Sequence, residues 1–268
     1  MRLLILLGAL SFTCHGIEPA PAGASKQYAY AVDFSAPATA SAFRCIKSAG
    51  YSTVFLRAYD PTGQGRFDSN VVGNVHLAAQ AGLGIEVYMT PQIRSYKNGT
   101  MQFKELIDGL TYGSVRVRTV WVQVTSPIHW DPYTQNNIAF LNQIMMAAQR
   151  YGINIGFYTN NYDWSQIANN AWVENAMLWY WRVNGGGPQG ETPANFDDYH
   201  AFGHWYKPTV KQFAQVESVC GITVNRDVYA LSMYKDKSMA AMVGPRPIGD
   251  VVGETFNFAP IKGLLQTN

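Results

Sequence analysis

Two aspartates stand where strands give way to turns, Asp33 in AVDFSAP and Asp227 in VNRDVY. Carboxylates on neighbouring strands can divide acid from base work, one holding a proton while the other stays ionised. Each alone is equally well explained as a turn or cap aspartate, so it is their coincidence at strand ends that makes them candidates. Glu86 and Tyr88 of GIEVYM share one strand face, with Val87 and Met89 on the other. Glu86 has two readings. It can pair with Arg57 of FLRAY, because either charge alone in an interior is costly. Near the mouth of a barrel, with its pKa raised by burial, it would instead be a displaced acid.

In VWVQVTSP, Val120, Val122 and Val124 occupy one face of a strand, and Trp121, Gln123 and Thr125 the other. That second face turns polar at its C-terminal end, where sites are built in parallel sheets and barrels. Gln123 and Thr125 can hydrogen-bond but have no titratable proton near neutral pH. Tyr59, Tyr88, Trp121, Tyr158, Trp179 and Trp181 lie in strands or just beyond them, in a chain that is 13% aromatic. Aromatic rings stack on the apolar faces of sugars, although any single one more often fills a core. Tyr88, Gln123, Thr125, Tyr158, Trp179 and Trp181 are therefore the candidate glycan-contacting residues. His76 and His129 have no partners at metal-ligand spacing. Neither G-x-S-x-G, a P-loop nor C-x-x-C occurs, so no metal or other cofactor is expected.

These residues need a scaffold. Strand patterns recur at 28–34, 52–59, 84–89, 119–124 and 153–159, separated by helical patterns such as TQNNIAFLNQIMMAAQRYG. In that helix Ile138, Leu141, Met145 and Ala148 form one apolar face, with Thr134 or Asp131 as candidate cap. Three of the helical stretches end in Ala-Gly or Tyr-Gly just ahead of a strand, consistent with glycine terminating a helix. The βα alternation argues for a parallel sheet. After Asn160 the rhythm loosens, with strand patterns at 177–181, 211–215 and 222–229 joined by irregular, glycine-rich connectors. The fold class expected is α/β: an irregular TIM-like barrel of about eight parallel strands, with helices missing after the later ones.

Hydrophobic residues make up 47% of the 268 and charged residues only 14%, enough for a sizeable core in one domain. A net charge of +2 gives no argument for a nucleic-acid partner. Residues 1–16, MRLLILLGALSFTCHG, read as a secretory signal peptide, with a basic start, an apolar run too short to span a bilayer, and cleavage near Gly16. No other segment is long enough for a membrane span. Residues 17–268 then form a single domain, with a core at about 28–230 and a tail, 231–268, of unassigned structure. Export would leave Cys45 and Cys220, either paired or as buried thiols. One sequon, Asn98-Gly99-Thr100, lies in a polar stretch. Nothing in the sequence sets an oligomeric state.

YAVDFSAP, GLGIEVYMTPQ, VWVQVTSPIHW, GINIGFYTNNYDW, LWYW and VNRDVY, in this order, resemble the amoeba- and nematode-type lysozyme-like proteins, a branch of glycoside hydrolase family 25. The resemblance spans about residues 28 to 230. It implies an irregular barrel and a secreted or lysosomal protein of defence or bacterial digestion. The substrate it implies is peptidoglycan, cleaved after N-acetylmuramic acid. The family's carboxylates lie on the first strand, in an Asp-x-Glu pair ending the fourth, and on a late strand. Asp33 matches the first and Asp227 resembles the last, while the pair falls at Gln123-Val124-Thr125. Glycoside hydrolysis needs a group that protonates the leaving oxygen, and its loss costs about 10²–10⁴ in rate. Two outcomes stay open: weak or rerouted hydrolysis through Asp33, Asp227 or Glu86, and a glycan-binding protein without catalysis.

Overall fold

A computed structural model describes residues 19–21, 28–231 and 252–253. The expected signal peptide and nearly all of the expected tail lie outside the described residues. In chain order the strands are β1 (Tyr28–Phe34), β2 (Thr53–Asp60), β3 (Arg66–Phe67), β4 (Gly84–Met89), β5 (Thr119–Gln123), β6 (Asn154–Thr159), β7 (Met177–Trp181), β8 (Val210–Val219) and β9 (Ile222–Ala230). All but the two-residue β3 close into an eight-stranded barrel through the pairing of β1 with β2.

The eight expected strands are all present, with one correction. The last does not run parallel: β9 pairs antiparallel with both β8 and β1. β8 extends to Val219, so only Cys220 and Gly221 connect it to β9. A parallel neighbour needs a crossover of a dozen or more residues, and two permit only a hairpin. The N-terminal half of β9 therefore lies at the barrel mouth, beside the C-terminal end of β1.

Helices α1 (Ala40–Ser48), α2 (Asn70–Gln80), α3 (Gly99–Tyr112) and α4 (Thr134–Arg150) follow the early strands, and a short α5 (Asn161–Ala168) follows β6. After β7 only a 3-10 turn at Pro188–Gly190 remains, so helices are lost where the connectors become irregular. Thr39, Asn98 and Asn160 cap α1, α3 and α5 through their side-chain oxygens, satisfying backbone donors that helix starts leave open. α4 departs from expectation. Tyr133 stands at its cap without a side-chain bond, and Asp131 Oδ1 instead accepts from the Tyr133 amide at 2.8 Å. Gly50 and Gly152 end α1 and α4 in left-handed geometry, as the Ala-Gly and Tyr-Gly signals imply.

Strand alternation divides the core in two. Outward residues such as Val32, Val54, Val87, Val122 and Phe157 pack beneath the helices. Inward residues fill the barrel with rings, including Phe55, Tyr88, Trp121, Tyr158 and Trp179. Trp179 is their centre, with ring centroids 4.3 Å from Tyr158, 4.5 Å from Phe55 and 6.0 Å from Trp121. Burying one such ring stabilises the fold by about 4–6 kcal/mol. Small residues make the room: a Cβ on Gly156 would lie 2.2 Å from Trp121 Cε3. Cys45 and Cys220 form a disulfide that fastens α1 to the β8–β9 turn.

Candidate functional site

The C-terminal ends of β1, β2 and β4 to β8 form the mouth, and the inward positions just below it carry the polar groups. Asp33, the last residue but one of β1, is 4% exposed, while Asp227 on β9 is fully buried. The antiparallel register sets Asp227 opposite Ala31 and Asn225 opposite Asp33, so Asp227 lies deeper than a parallel strand end would place it. Asn225 Nδ2 donates to Asp33 Oδ1 at 3.0 Å, and the Trp179 indole donates to Asp227 Oδ1 at 2.9 Å. The other oxygens, Asp33 Oδ2 and Asp227 Oδ2, are buried with no donor from any other group among the described residues. A proton held between the two carboxyls would satisfy both.

Burial raises Asp33 to about 7, against hydrogen bonds from Asn225 and Asp227 that favour its charge. Burial and then the charge of Asp33 hold Asp227 well above the ordinary carboxylate range. Two like charges this close cannot both ionise, so the pair titrates as a unit and keeps one proton near neutrality. Above it Tyr88 and Tyr158 are likewise raised, by burial first and then by the charge of Asp33. Tyr158 donates a short hydrogen bond to Gln212 Oε1, and Gln212 is opposite Asp227 in the β8–β9 register.

Beside this pair a cleft of about 520 Å³ opens between the loops that follow β2, β4 and β5. Tyr88, Gln123 and Thr125 line it, as do Arg57, Thr90, Gln92, Arg94, Ser126, His129 and Trp130. None of the described residues lining it is an aspartate or glutamate. Gln123 is fixed at both ends: its Oε1 accepts from Thr90 Oγ1 at 2.6 Å, and its Nε2 donates to Thr125 Oγ1 at 3.0 Å. The walls are tied together. Arg94 Nη2 donates to the carbonyls of Ile128 and Trp130, and the Trp130 indole donates to the Thr125 carbonyl. The buried Gln102 accepts from the Gln92 amide and donates to the carbonyls of Gln92 and Lys97, shaping the β4–α3 loop. Such a cleft offers amide and hydroxyl hydrogen bonds, guanidinium groups and aromatic edges, but no carboxyl proton.

Several expectations need correcting. Arg57 does not pair with Glu86. Its Nε lies 2.9 Å from Asp68 Oδ2, and Asp60 stands 3.8 Å from its Nη2. Glu86 is 1% exposed and points towards the floor of the barrel, where it accepts from the Trp121 indole and the Gly253 amide. It is absent from the cleft lining, two positions below Tyr88 on the same face. Asp33 and Asp227 do meet, but beneath the mouth rather than across it. Tyr158 and Trp179 are core rings, 8% and 0% exposed. Trp181 is half-buried at the end of β7, outside the cleft lining, and its indole donates to Asp163 Oδ2 at 3.1 Å.

Sequence reasoning missed Asn225, Gln212 and Asp163. Asp163, in the first turn of α5, is raised by burial and accepts from Trp181 and the Ser126 amide. It thereby anchors the end of β5 just past Thr125, where Ser126 takes a left-handed backbone with φ 58°. A signal existed: Asn160 stands three residues before Asp163, the spacing of a capped helix start.

Comparison with known proteins bears on this arrangement. The family described as Lysozyme-like protein 1 matches residues 24–213. Lysozyme-like protein 1 of Caenorhabditis elegans is 51% identical over 221 residues, covering 81% of this chain and 74% of the relative. A probable GH family 25 lysozyme 2 of Dictyostelium discoideum is 30% identical over 200 residues, covering 74% of this chain and 89% of that protein. Among solved structures, a family GH25 lysozyme from Aspergillus fumigatus superposes with a TM-score of 0.58 at 15% identity, covering 80% of this chain and 99% of that one.

Proposed function

The chain belongs to the lysozyme-like proteins of the glycoside hydrolase 25 type, and from that premise we propose that it is an exported protein of defence or bacterial digestion. It holds cell-wall glycan in the cleft beside Tyr88 and cleaves it weakly or not at all. The observation that carries this reading is the pair Gln123 and Thr125 on the cleft wall, hydrogen-bonded to each other where the family resemblance calls for Asp-x-Glu.

Cleavage of a glycosidic bond needs a proton delivered to the departing oxygen and a carboxylate or water to meet the anomeric carbon. Gln123 and Thr125 can orient a sugar hydroxyl or N-acetyl group but deliver no such proton. Arg57 and Arg94 add charged donors, and Tyr88 and Trp130 add ring surface. Trp181 at the end of β7 supplies a further half-buried ring beyond the cleft. The affinity of the fold for its polymer therefore survives the loss of the donor.

Residual hydrolysis is the second reading, favoured by one arrangement: the Asp33 and Asp227 carboxyls are buried together, and both are raised above the ordinary carboxylate range. Because a proton held there is buried behind Tyr88, this route is slow. Glu86, near the floor, has no part in either reading.

Purified mature protein, with insoluble peptidoglycan, tests both. The expected result is sedimentation with the polymer and little loss of wall turbidity. The double substitution Gln123→Asp/Thr125→Glu is expected to raise lysis by about 10²-fold or more, the worth of a restored proton donor. Failure to sediment would overturn the glycan reading. Brisk lysis by the unaltered chain, abolished by Asp33→Asn, would overturn the assignment of lost acid catalysis.

A further inference from the structure

Asn98-Gly99-Thr100 is the one N-x-S/T sequence in the chain, and nothing in the cleft uses it. Asn98 is exposed and caps α3: its Oδ1 accepts from the Met101 amide at 2.9 Å. Its Nδ2 has no hydrogen-bond partner among the described residues. We propose that Asn98 carries an N-linked oligosaccharide. The inference rests on the reading that the chain is exported, since the modification takes place in a secretory lumen.

The two ends of the amide explain why the fold accepts this. Glycosylation uses Nδ2 alone. That nitrogen bonds to the anomeric carbon of an oligosaccharide carried on a polyisoprenyl diphosphate. The carbon–oxygen bond to the diphosphate breaks with its electron pair, and Nδ2 gives up one proton. The product is still an amide, so Oδ1 goes on capping α3. Thr100 bonds the Gln143 carbonyl in the folded chain. Two exposed apolar neighbours, Tyr96 at 75% and Met101 at 46%, flank the site and would be covered by a glycan. The sugar would stand on the loop that also carries Arg94, at the side of the mouth rather than in it.

The test is expression of the full chain in eukaryotic secretory cells, once with its own first residues and once with a proven leader placed ahead of residue 17. Mass spectrometry then follows the peptide containing Asn98. The expected result is an oligosaccharide mass that an N-glycan amidase removes, leaving aspartate. That mass persists in Thr100→Ser and is lost in Thr100→Ala and Asn98→Asp. Asn98→Asp retains a good cap and should fold with an unchanged Tm, so loss of the sugar there is not loss of the fold. Unmodified Asn98 in folded protein recovered from the medium under the proven leader overturns the proposal. Glycosylation under that leader combined with no export under the native one supports the site and refutes the reading of secretion.

Discussion

Asp227 is the residue whose chemistry is easiest to misjudge from its letters. A carboxylate at a strand tip invites a solvent-exposed role, yet here it is fully buried against Trp179 and shares its site with Asp33. Both carboxyls are raised in the folded chain, Asp33 from 3.8 to about 7. Between those values the native state binds more protons than the unfolded chain, so stability is greatest at the acidic end and falls as pH rises through the window. The slope is at most about 1.4 kcal/mol per pH unit for each proton. Melting temperatures measured from pH 4 to 8 should decline across this range, and Asp227→Asn should flatten the decline by removing one of the two buried groups that titrate. An unchanged slope in that variant would mean that the two aspartates do not share a proton. The types and rough locations of these residues were legible, because acid and aromatic letters at strand ends narrow the choice. Their depth was not, since it depends on the direction of β9. The partner of Arg57 was equally hidden: Asp68 lies just past β3, an element too short to leave a periodic signature.

Elements are where the sequence speaks most plainly. Alternation marked each barrel strand, and of the expected α4 stripe Leu141 and Ala148 are buried and Ile138 and Met145 half-buried, with Phe140, Ile144 and Ala147 completing the buried face. Alternation cannot report direction, because a strand reads the same whichever way it runs, and only the two-residue link to β8 settles that of β9. Nor does it say which inward positions must be small. Gly156 pairs with Trp121 across the β5–β6 ladder, and the indole occupies the space a methyl would need. Gly156→Ala should destabilise the barrel by about 1–3 kcal/mol through overpacking. Chemical denaturation would register this as a lower midpoint at an unchanged m-value. A stability equal to that of the unaltered chain would mean that the indole shifts freely, contrary to its anchorage on Glu86.

At the scale of the whole molecule, closure depends on β1 holding both β2 and β9, and one covalent bond spans that seam. The disulfide joins residues 175 apart, from α1 to the tip of the β8–β9 hairpin. Chain-entropy arguments give such a long closed loop about 5 kcal/mol as an upper value. Reduction, or the double substitution Cys45→Ala/Cys220→Ala, should therefore lower the melting temperature by roughly 10 °C. Calorimetry with and without reductant would show this, and coincident transitions would mean that the hairpin holds without its bond. The cysteine count raised this pairing, but only the folded hairpin brings the two together. The return stroke of β9 has one more consequence. The polypeptide enters β1 and quits β9 on the same side of the barrel, so a support, dye or fused partner attached upstream of Tyr28 or downstream of Ala230 begins its path at the closed end. On the proposed reading, a surface coated through either attachment turns the open cleft outward and should retain bacterial walls whether or not it cuts them.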